Sequence, residues 1–410
     1  MLKKIINLLF VLSFISILVL SSTYIFLLKE QQSLSYIENR NLFTLDTLVS
    51  DDFPDINFQN HLEKVLEDQI LYRYEIVQLK KNINYFFSSL LIPLNSNETV
   101  LNPIGESGNL KRVGTSNYVI KALMNYEERI EDRVQKRIDQ YNEISRAFPS
   151  VDFFVYYPQQ PHESSIFNDA NDLVSYGAQI EIYFENLLDI HYKKLEYDTV
   201  DEFKSYFYSS DHHWNHLGSY QAYLDIISMF DNTIKPIEPV SVDCNYSFHG
   251  TFSTQIGYVL DPATFCIYDF KLVEYDVNQD GVLIDEPIGS QYFYEKSNEF
   301  NPKTYFYNYA YPFSGALRVY SSSVNNKSIL VVGDSYMPPI LPLLSQHYGK
   351  VYALQPFVYF NNNHVRFDYY DFLEKNKIDK VLFMPTIENY FFDDEYGKRF
   401  EAFDVLPVGD

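Results

Sequence analysis

Four short apolar runs, each closed by a polar or proline corner, constrain this chain more than any other feature. They are VDFFVYYP (Val151–Pro158), SILVVGDS (Ser328–Ser335), KVYALQPF (Lys350–Phe357) and DKVLFMPT (Asp379–Thr386). Runs that are apolar at successive positions, rather than alternating, belong to strands covered on both faces; such strands are parallel and flanked by helices. Helical spacing lies beside them. Ile130, Val134, Ile138, Tyr141 and Ile144 recur every three or four residues between Leu123 and Phe148, and FDYYDFLEKNKI separates the third run from the fourth. The alternation predicts an α/β fold, a three-layer α/β/α sandwich around a parallel sheet.

Around this frame the character of the chain shifts several times. Asn60 to about Leu90 carries helical periodicity, whereas Asn95–Ser116, rich in Asn, Gly and Ser, reads as a loop. From about residue 236 to 319 Tyr, Phe, Asn, Gly and Pro dominate and helical spacing disappears, which reads as a β-rich insertion. The expected division is residues 1–29 as an anchor, 30–115 as a linker with a helical region, and 116–410 as the main domain holding the insertion. Inside the insertion, DVNQDGVLIDEP (Asp276–Pro287) spaces Asp276, Asn278, Asp280 and Gly281 as a calcium loop would, but Pro287 stands where a bidentate glutamate belongs. The competing reading is a hairpin turn at Asn278–Gly281.

Lys3 and Lys4 precede about 24 mostly apolar, uncharged residues, Ile5–Leu28. That length suits a bilayer-spanning helix better than the 7–15-residue apolar part of a signal peptide. The basic pair stays on the cytoplasmic side, which sends residues 30–410 outside as a single-pass, membrane-anchored domain; cleavage near Ser21–Ser22 is the alternative. A net charge of −23 excludes nucleic acid as a partner, since nothing would neutralise a run of phosphates. With 46% hydrophobic residues, 37 Tyr and 33 Phe, the chain has ample material for a core. Its two cysteines, Cys244 and Cys266, either form a bridge, as the outer side of a membrane permits, or are two buried thiols.

The densest chemistry is YSSDHHWNHLG (Tyr208–Gly218), which holds three of the nine histidines and the only tryptophan. If FKSYFYSSDHHW is extended, residues two apart share a side, so Asp211 brackets His213 while His212 points away. NHLGSYQAYLDIISMF then reads as a helix. Trp214 walls a pocket or fills core. The other half is LVVGDSY, which sets Gly333, Asp334 and Ser335 where a buried strand leaves the sheet, the edge at which ligands bind in open α/β sheets. A helical stretch expected from Pro338–Pro339 would aim backbone N–H groups at an oxyanion. A serine hydroxyl needs a base held by a third group, and Asp211–His213 supplies both for Ser335. Two other readings stand beside this one. One is a metal site, with His212 and His216 four residues apart and Asp211 or His213 as a third ligand; the other is a structural polar cluster.

With these elements in view, the chain resembles the bacterial DHHW family, named for the tetrapeptide at Asp211–Trp214, and through it the SGNH-hydrolase-like proteins that acetylate alginate. IENRNL (Ile37–Leu42), LEDQILYRYEI (Leu66–Ile76), Asp-x-His-Trp and a later Gly-Asp-Ser occur in the order such proteins show. The resemblance implies an SGNH-hydrolase-like fold in permuted order, since the acid–base pair precedes the serine. It implies Ser335 as nucleophile, His213 as base and acid, and Asp211 as the residue orienting it. Gly333, Asp334, Asn389, Arg366 and Trp214 are the oxyanion or substrate-side candidates. The implied activity is a serine O-acyltransferase or esterase on cell-surface polysaccharide that uses no cofactor or metal. Transfer on the outer side would call for a membrane-bound partner delivering acyl groups. The alternatives are a non-catalytic scaffold of polysaccharide export and a metal-dependent surface hydrolase.

Overall fold

The computed structural model describes residues 2–24, 30–35, 40–48, 58–70, 72–90, 97–104, 107–125, 127–168, 175–285, 311, 313, 315–384, 386–387 and 398–407. The chain opens with helix α1 (Leu2–Thr23), several of whose side chains lie outside the described set. Among the described residues no helix is long and apolar enough to cross a membrane, so the expected transmembrane span is not among them. A two-residue pairing of β1 (Leu34–Ser35) with β2 (Arg40–Asn41) follows, then helices α2 (Phe58–Gln69) and α3 (Arg73–Leu90).

The segment expected to be a loop instead supplies strands. β3 (Leu101–Ile104), β4 (Ser107–Val113) and β5 (Val119–Lys121) form a three-stranded antiparallel sheet. Polar composition misled here because a few apolar positions decide the matter: Leu101, Ile104, Leu110 and Val113 are all buried, and Gly114 takes the positive φ of 53° that the turn after β4 requires.

Helix α4 (Glu128–Ala147) leads into β6 (Asp152–Tyr157). Helix α5 (Gly177–Leu187) and β7 (His191–Lys194) come next, followed by α6 (Val200–Tyr206) and α7 (His216–Phe230). An antiparallel ribbon of β8 (Pro239–Phe248) and β9 (Ala263–Phe270) has the short helix α8 (Thr251–Ile256) in its connection. The remaining strands are β10 (Tyr275–Gln279), β11 (Val282–Ile284), β12 (Leu317–Ser322), β13 (Ser328–Val332), β14 (Lys350–Leu354) and β15 (Lys380–Phe383).

The main sheet has eight strands in the order β11-β10-β12-β14-β13-β15-β6-β7. From β14 to β7 every neighbour is parallel, and these strands contain the four apolar runs. β12, β10 and β11 add antiparallel, so the sheet is mixed rather than wholly parallel. The region read as one β-rich insertion therefore divides: β8 and β9 stand apart as a ribbon, while β10–β12 extend the main sheet. Asp280 and Gly281, with φ of 49° and 88°, make the tight turn between β10 and β11. The Asp280 carboxylate accepts from the Ala316 and Leu317 N–H groups, which serves the sheet rather than a calcium loop; Glu286 and Pro287 lie outside the described residues.

Successive residues of the central strands feed two cores. Phe154, Tyr156, Ile329, Val331, Val351 and Leu382 pack with Phe203 of α6 and Tyr223 and Ile226 of α7. Phe153, Val155, Leu330, Val332, Val381 and Phe383 pack on the other face with Val134 and Ile138 of α4 and Ile180 and Phe184 of α5. Burial on both faces explains the unbroken apolar runs.

Candidate active site

The DHHW stretch is a turn, not an extended strand. Phe207 and Trp214 form an isolated antiparallel bridge, and residues 208–213 loop out between them. Helix α6 occupies Val200–Tyr206, where the sequence suggested extended chain. Asn215 then starts α7: its Oδ1 accepts from the N–H groups of Leu217 (2.8 Å) and Gly218 (3.1 Å), and its Nδ2 donates to the Ser205 carbonyl at 2.7 Å. Gly218 is needed because a Cβ there would lie 2.4 Å from the Tyr206 carbonyl oxygen and 2.9 Å from Trp214 Cβ.

The Gly333–Ser335 loop is equally tight. Gly333 N–H continues the β13–β14 pairing by donating to Leu354 O at 3.1 Å, and a Cβ on Gly333 would meet Met337 Cγ at 2.8 Å. Asp334 is tied into the turn. It is buried, its Oδ1 accepts from Tyr336 N–H at 3.0 Å, and its Oδ2 accepts from the Thr386 hydroxyl just beyond β15. Ser335 is thereby held, half-buried, at the carboxyl edge of the sheet. Turns follow it, and the first helix, Leu341–Leu344, begins six residues later, past the Pro338–Pro339 start that the sequence suggested. Pro338 and Pro339 disfavour the helical conformation of the residues that precede them, Met337 and Pro338, whereas Pro342 sits in the first turn of the helix, where proline is tolerated.

These two loops meet. His213 Nε2 lies 2.8 Å from Ser335 Oγ, and His213 Nδ1 lies 2.7 Å from Asp211 Oδ1. Asp211 and His213 are almost wholly buried. The other Asp211 oxygen accepts from Thr251 N–H at 2.8 Å, and His213 N–H donates to Oδ1 at 3.0 Å. Burial alone would push the Asp211 carboxyl up; the neighbouring His212 and His213 imidazoles and the Thr251 N–H outweigh it and hold the group well below the ordinary carboxylate range. An ionised Asp211 fixes the proton of His213 on Nδ1 and leaves Nε2 to accept from Ser335.

His212 does not point away. Its ring centroid is 3.9 Å from that of His213, and its Nδ1 is 3.7 Å from Asp211 Oδ1, because the backbone turns where an extended strand was expected. Its carbonyl accepts from Tyr336 OH. Asp211, His212 and His213 offer ligand atoms within 4.8 Å of one another, but both His213 nitrogens already face Asp211 and Ser335, so a metal there would displace the dyad. His216 opens α7 and so does not share a helix face with His212. Its neighbour is Tyr268, ring centroids 4.8 Å apart, and burial lowers its pKa to about 4.

Trp214 fills core, 1% exposed, edge-on to Tyr336 at 4.9 Å. Arg366 is engaged with Asp404 at 2.9 Å, and Asn389 lies outside the described residues. Cys244 and Cys266 are joined by a disulfide that ties β8 to β9. The connection between those strands carries Gly250 and Thr251 to Asp211. A Cβ on Gly250 would fall 2.4 Å from Ser210 O and 2.5 Å from Asp211 Cβ. Sequence reasoning missed Gly250, Thr251, Tyr336 and Thr386. Thr251 acts through its backbone N–H, which leaves no side-chain signature.

No family model matches the chain, and no curated protein does. Solved structures do. A DHHW family protein from Eubacterium siraeum aligns at a TM-score of 0.54 and 15% identity, covering 75% of this chain and 100% of that one. The chain resembles the DHHW family in fold. Bacillus cereus PatB1 bearing a sulfonyl adduct aligns at 0.53 and 17% identity, over 69% of this chain and 95% of that one. The O-acetyltransferase domain of Pseudomonas putida AlgJ aligns at 0.41 and 9% identity over 70% and 96% of the two chains, too loosely to establish a shared fold.

Proposed function

We propose that this protein is a serine acyl-enzyme of the cell envelope that transfers an acyl group to a hydroxyl of a surface polysaccharide, or to water. The reading rests on the unbroken line Asp211–His213–Ser335, closed at 2.7 and 2.8 Å at the carboxyl edge of the sheet. Ser335 Oγ attacks the carbonyl carbon of an ester donor while His213 Nε2 takes its proton; the donor's alkoxide then leaves with that proton. An acceptor hydroxyl gives its own proton to His213, attacks the acyl carbon, and Ser335 departs reprotonated. Asp211 stabilises the imidazolium formed in each half. The Ser335 N–H, on the tight Gly333–Tyr336 turn, is the oxyanion donor in this scheme.

Several observations support the reading. The acid–base pair precedes the serine, as in an SGNH-hydrolase-like fold in permuted order. The DHHW protein and PatB1 share the fold, and a PatB1 structure bears a sulfonyl adduct, the class of reagent that captures activated nucleophiles. For location, the reading rests on the sequence alone: the apolar, uncharged run Ile5–Leu28 behind Lys3 and Lys4 is what supports a single-pass anchor with the main domain outside the cytoplasm. An acyl donor would then be supplied by a membrane-bound partner.

The test is to treat the full chain in detergent with a serine-directed sulfonyl or phosphonate reagent and map the adduct. Labelling of Ser335 that is lost in His213→Ala, together with acetate release from a chromogenic ester, is the expected result. An unreactive Ser335 and no turnover would favour the scaffold reading, and activity abolished by a chelator the metal-dependent one.

A further inference from the structure

Helix α3 packs by one face and leaves the other bare. On the packed face Gln78 Nε2 donates to the Gly257 carbonyl, Lys81 Nζ donates to the Thr254 carbonyl at 3.0 Å, and Tyr85 OH accepts from Arg112 at 3.3 Å. On the bare face Ile76, Leu79, Ile83, Phe86 and Leu90 are 46% to 65% exposed. Their spacing is three, four, three, four. That is the a/d seam of a heptad repeat, with isoleucine at two a positions and leucine at the first d, a choice that favours two strands.

The flanks agree with the seam. With Ile76 at a, Glu75 is a g position and Lys80 the following e position. In a parallel, in-register pair, g of one helix faces the e five residues later on the other, so Glu75 of each copy meets Lys80 of the second. An interfacial helix lying on lipid would instead present a wide apolar face bordered by basic residues; here the stripe is two positions per heptad and is bordered on one side by a glutamate. Phe87, at an e position, widens it only at the C-terminal end.

We infer that α3 is a dimerisation element, pairing with α3 of a second copy as a short parallel coiled coil. The helix has 18 residues, about 27 Å, so the seam is small and the pairing concentration-dependent. The packed face of α3 grips Thr254 and Gly257, in and just after the helix α8 that begins at Thr251, the residue whose N–H holds Asp211. The dimer seam therefore lies one element from the candidate active site.

Sedimentation of the full chain in detergent over a wide concentration range should give a monomer–dimer equilibrium. Ile83→Glu should raise its midpoint by about tenfold or more. Glu75→Lys and Lys80→Glu should each weaken the dimer, and the double exchange should restore it. Ile83→Cys, at a seam position, should yield a disulfide-linked dimer on mild oxidation, whereas Lys81→Cys, on the packed face, should not. A monomer at every concentration, a dimer indifferent to Ile83→Glu, or a spin label at position 83 reporting lipid rather than a second copy would each overturn the inference.

Discussion

The Asp211 carboxylate accepts a hydrogen bond at 2.8 Å from the backbone N–H of Thr251, forty residues further along the chain. The group that orients the histidine is thus itself oriented by the connection of the β8–β9 ribbon, a part of the molecule outside the main sheet. Perturbing that connection should disturb the proton path without touching Ser335 or His213.

Gly250→Ala is the sharpest probe of this. Its methyl group has no room between Ser210 O and Asp211 Cβ, and overpacking of this kind costs roughly 1–3 kcal/mol. Turnover of an ester substrate should fall about tenfold or more, with the pH dependence of kcat altered, because Asp211 no longer holds the imidazole in register. Wild-type kcat in a folded Gly250→Ala protein would refute the linkage.

The three residues of the hydrogen-bonded line should behave as a unit. Ser335→Ala and His213→Ala are each expected to lower turnover by several orders of magnitude, and the double variant by little more than either alone. Asp211→Asn, which favours the wrong tautomer, should cost roughly 10⁴-fold. Single-turnover assays on all four variants check the pattern, and additive losses would argue against a shared step.

Acid should destabilise the fold in two stages. His216 titrates at about 4 when folded against an ordinary 6.5, so the unfolded chain binds the extra proton first. Its contribution is complete above pH 6.5 and is lost as pH falls towards 4. Asp211, held below its ordinary range, contributes fully above about pH 4, where the unfolded carboxyl is ionised, and loses that contribution on further acidification. Melting temperature measured against pH should fall across both windows. His216→Gln should flatten the upper stage, and Asp211→Asn the lower.

Reduction of the Cys244–Cys266 bridge frees a loop whose ends are 22 residues apart, which chain-entropy reasoning values at roughly 3 kcal/mol. The denaturation midpoint should drop in reductant. Turnover should drop earlier in the titration, because the ribbon that positions Thr251 loosens before the sheet opens. Equal midpoints with and without reductant would show that the ribbon is held by its packing alone.

The parallel centre of the sheet was legible because burial on both faces writes unbroken apolar runs into β6, β13, β14 and β15. The pairing of Asp211–His213 with Ser335 was legible because a serine nucleophile requires such partners and Tyr208–Gly218 gathers three of the nine histidines beside an aspartate. What failed had local causes. Asn95–Ser116 looked like a loop since Asn and Gly outnumber the four buried apolar residues that build β3 and β4. His212 was assigned the wrong direction since a two-residue period holds only in a strand, and the Phe207–Trp214 bridge makes that stretch a turn. Thr251 and Gly250 were invisible because one works through its amide and the other through the absence of a side chain.

The order of strands also governs when this molecule comes into being. β15 lies between β13 and β6, so until the segment around Lys380–Phe383 has left the ribosome the sheet exists only as two separate halves. Thr386, whose hydroxyl secures the Asp334 carboxylate beside Ser335, arrives later still. A nascent chain therefore carries Asp211, His213 and Ser335 before the strand that joins the two parts of the sheet, and the Thr386 hydroxyl that steadies the Ser335 turn, have been made.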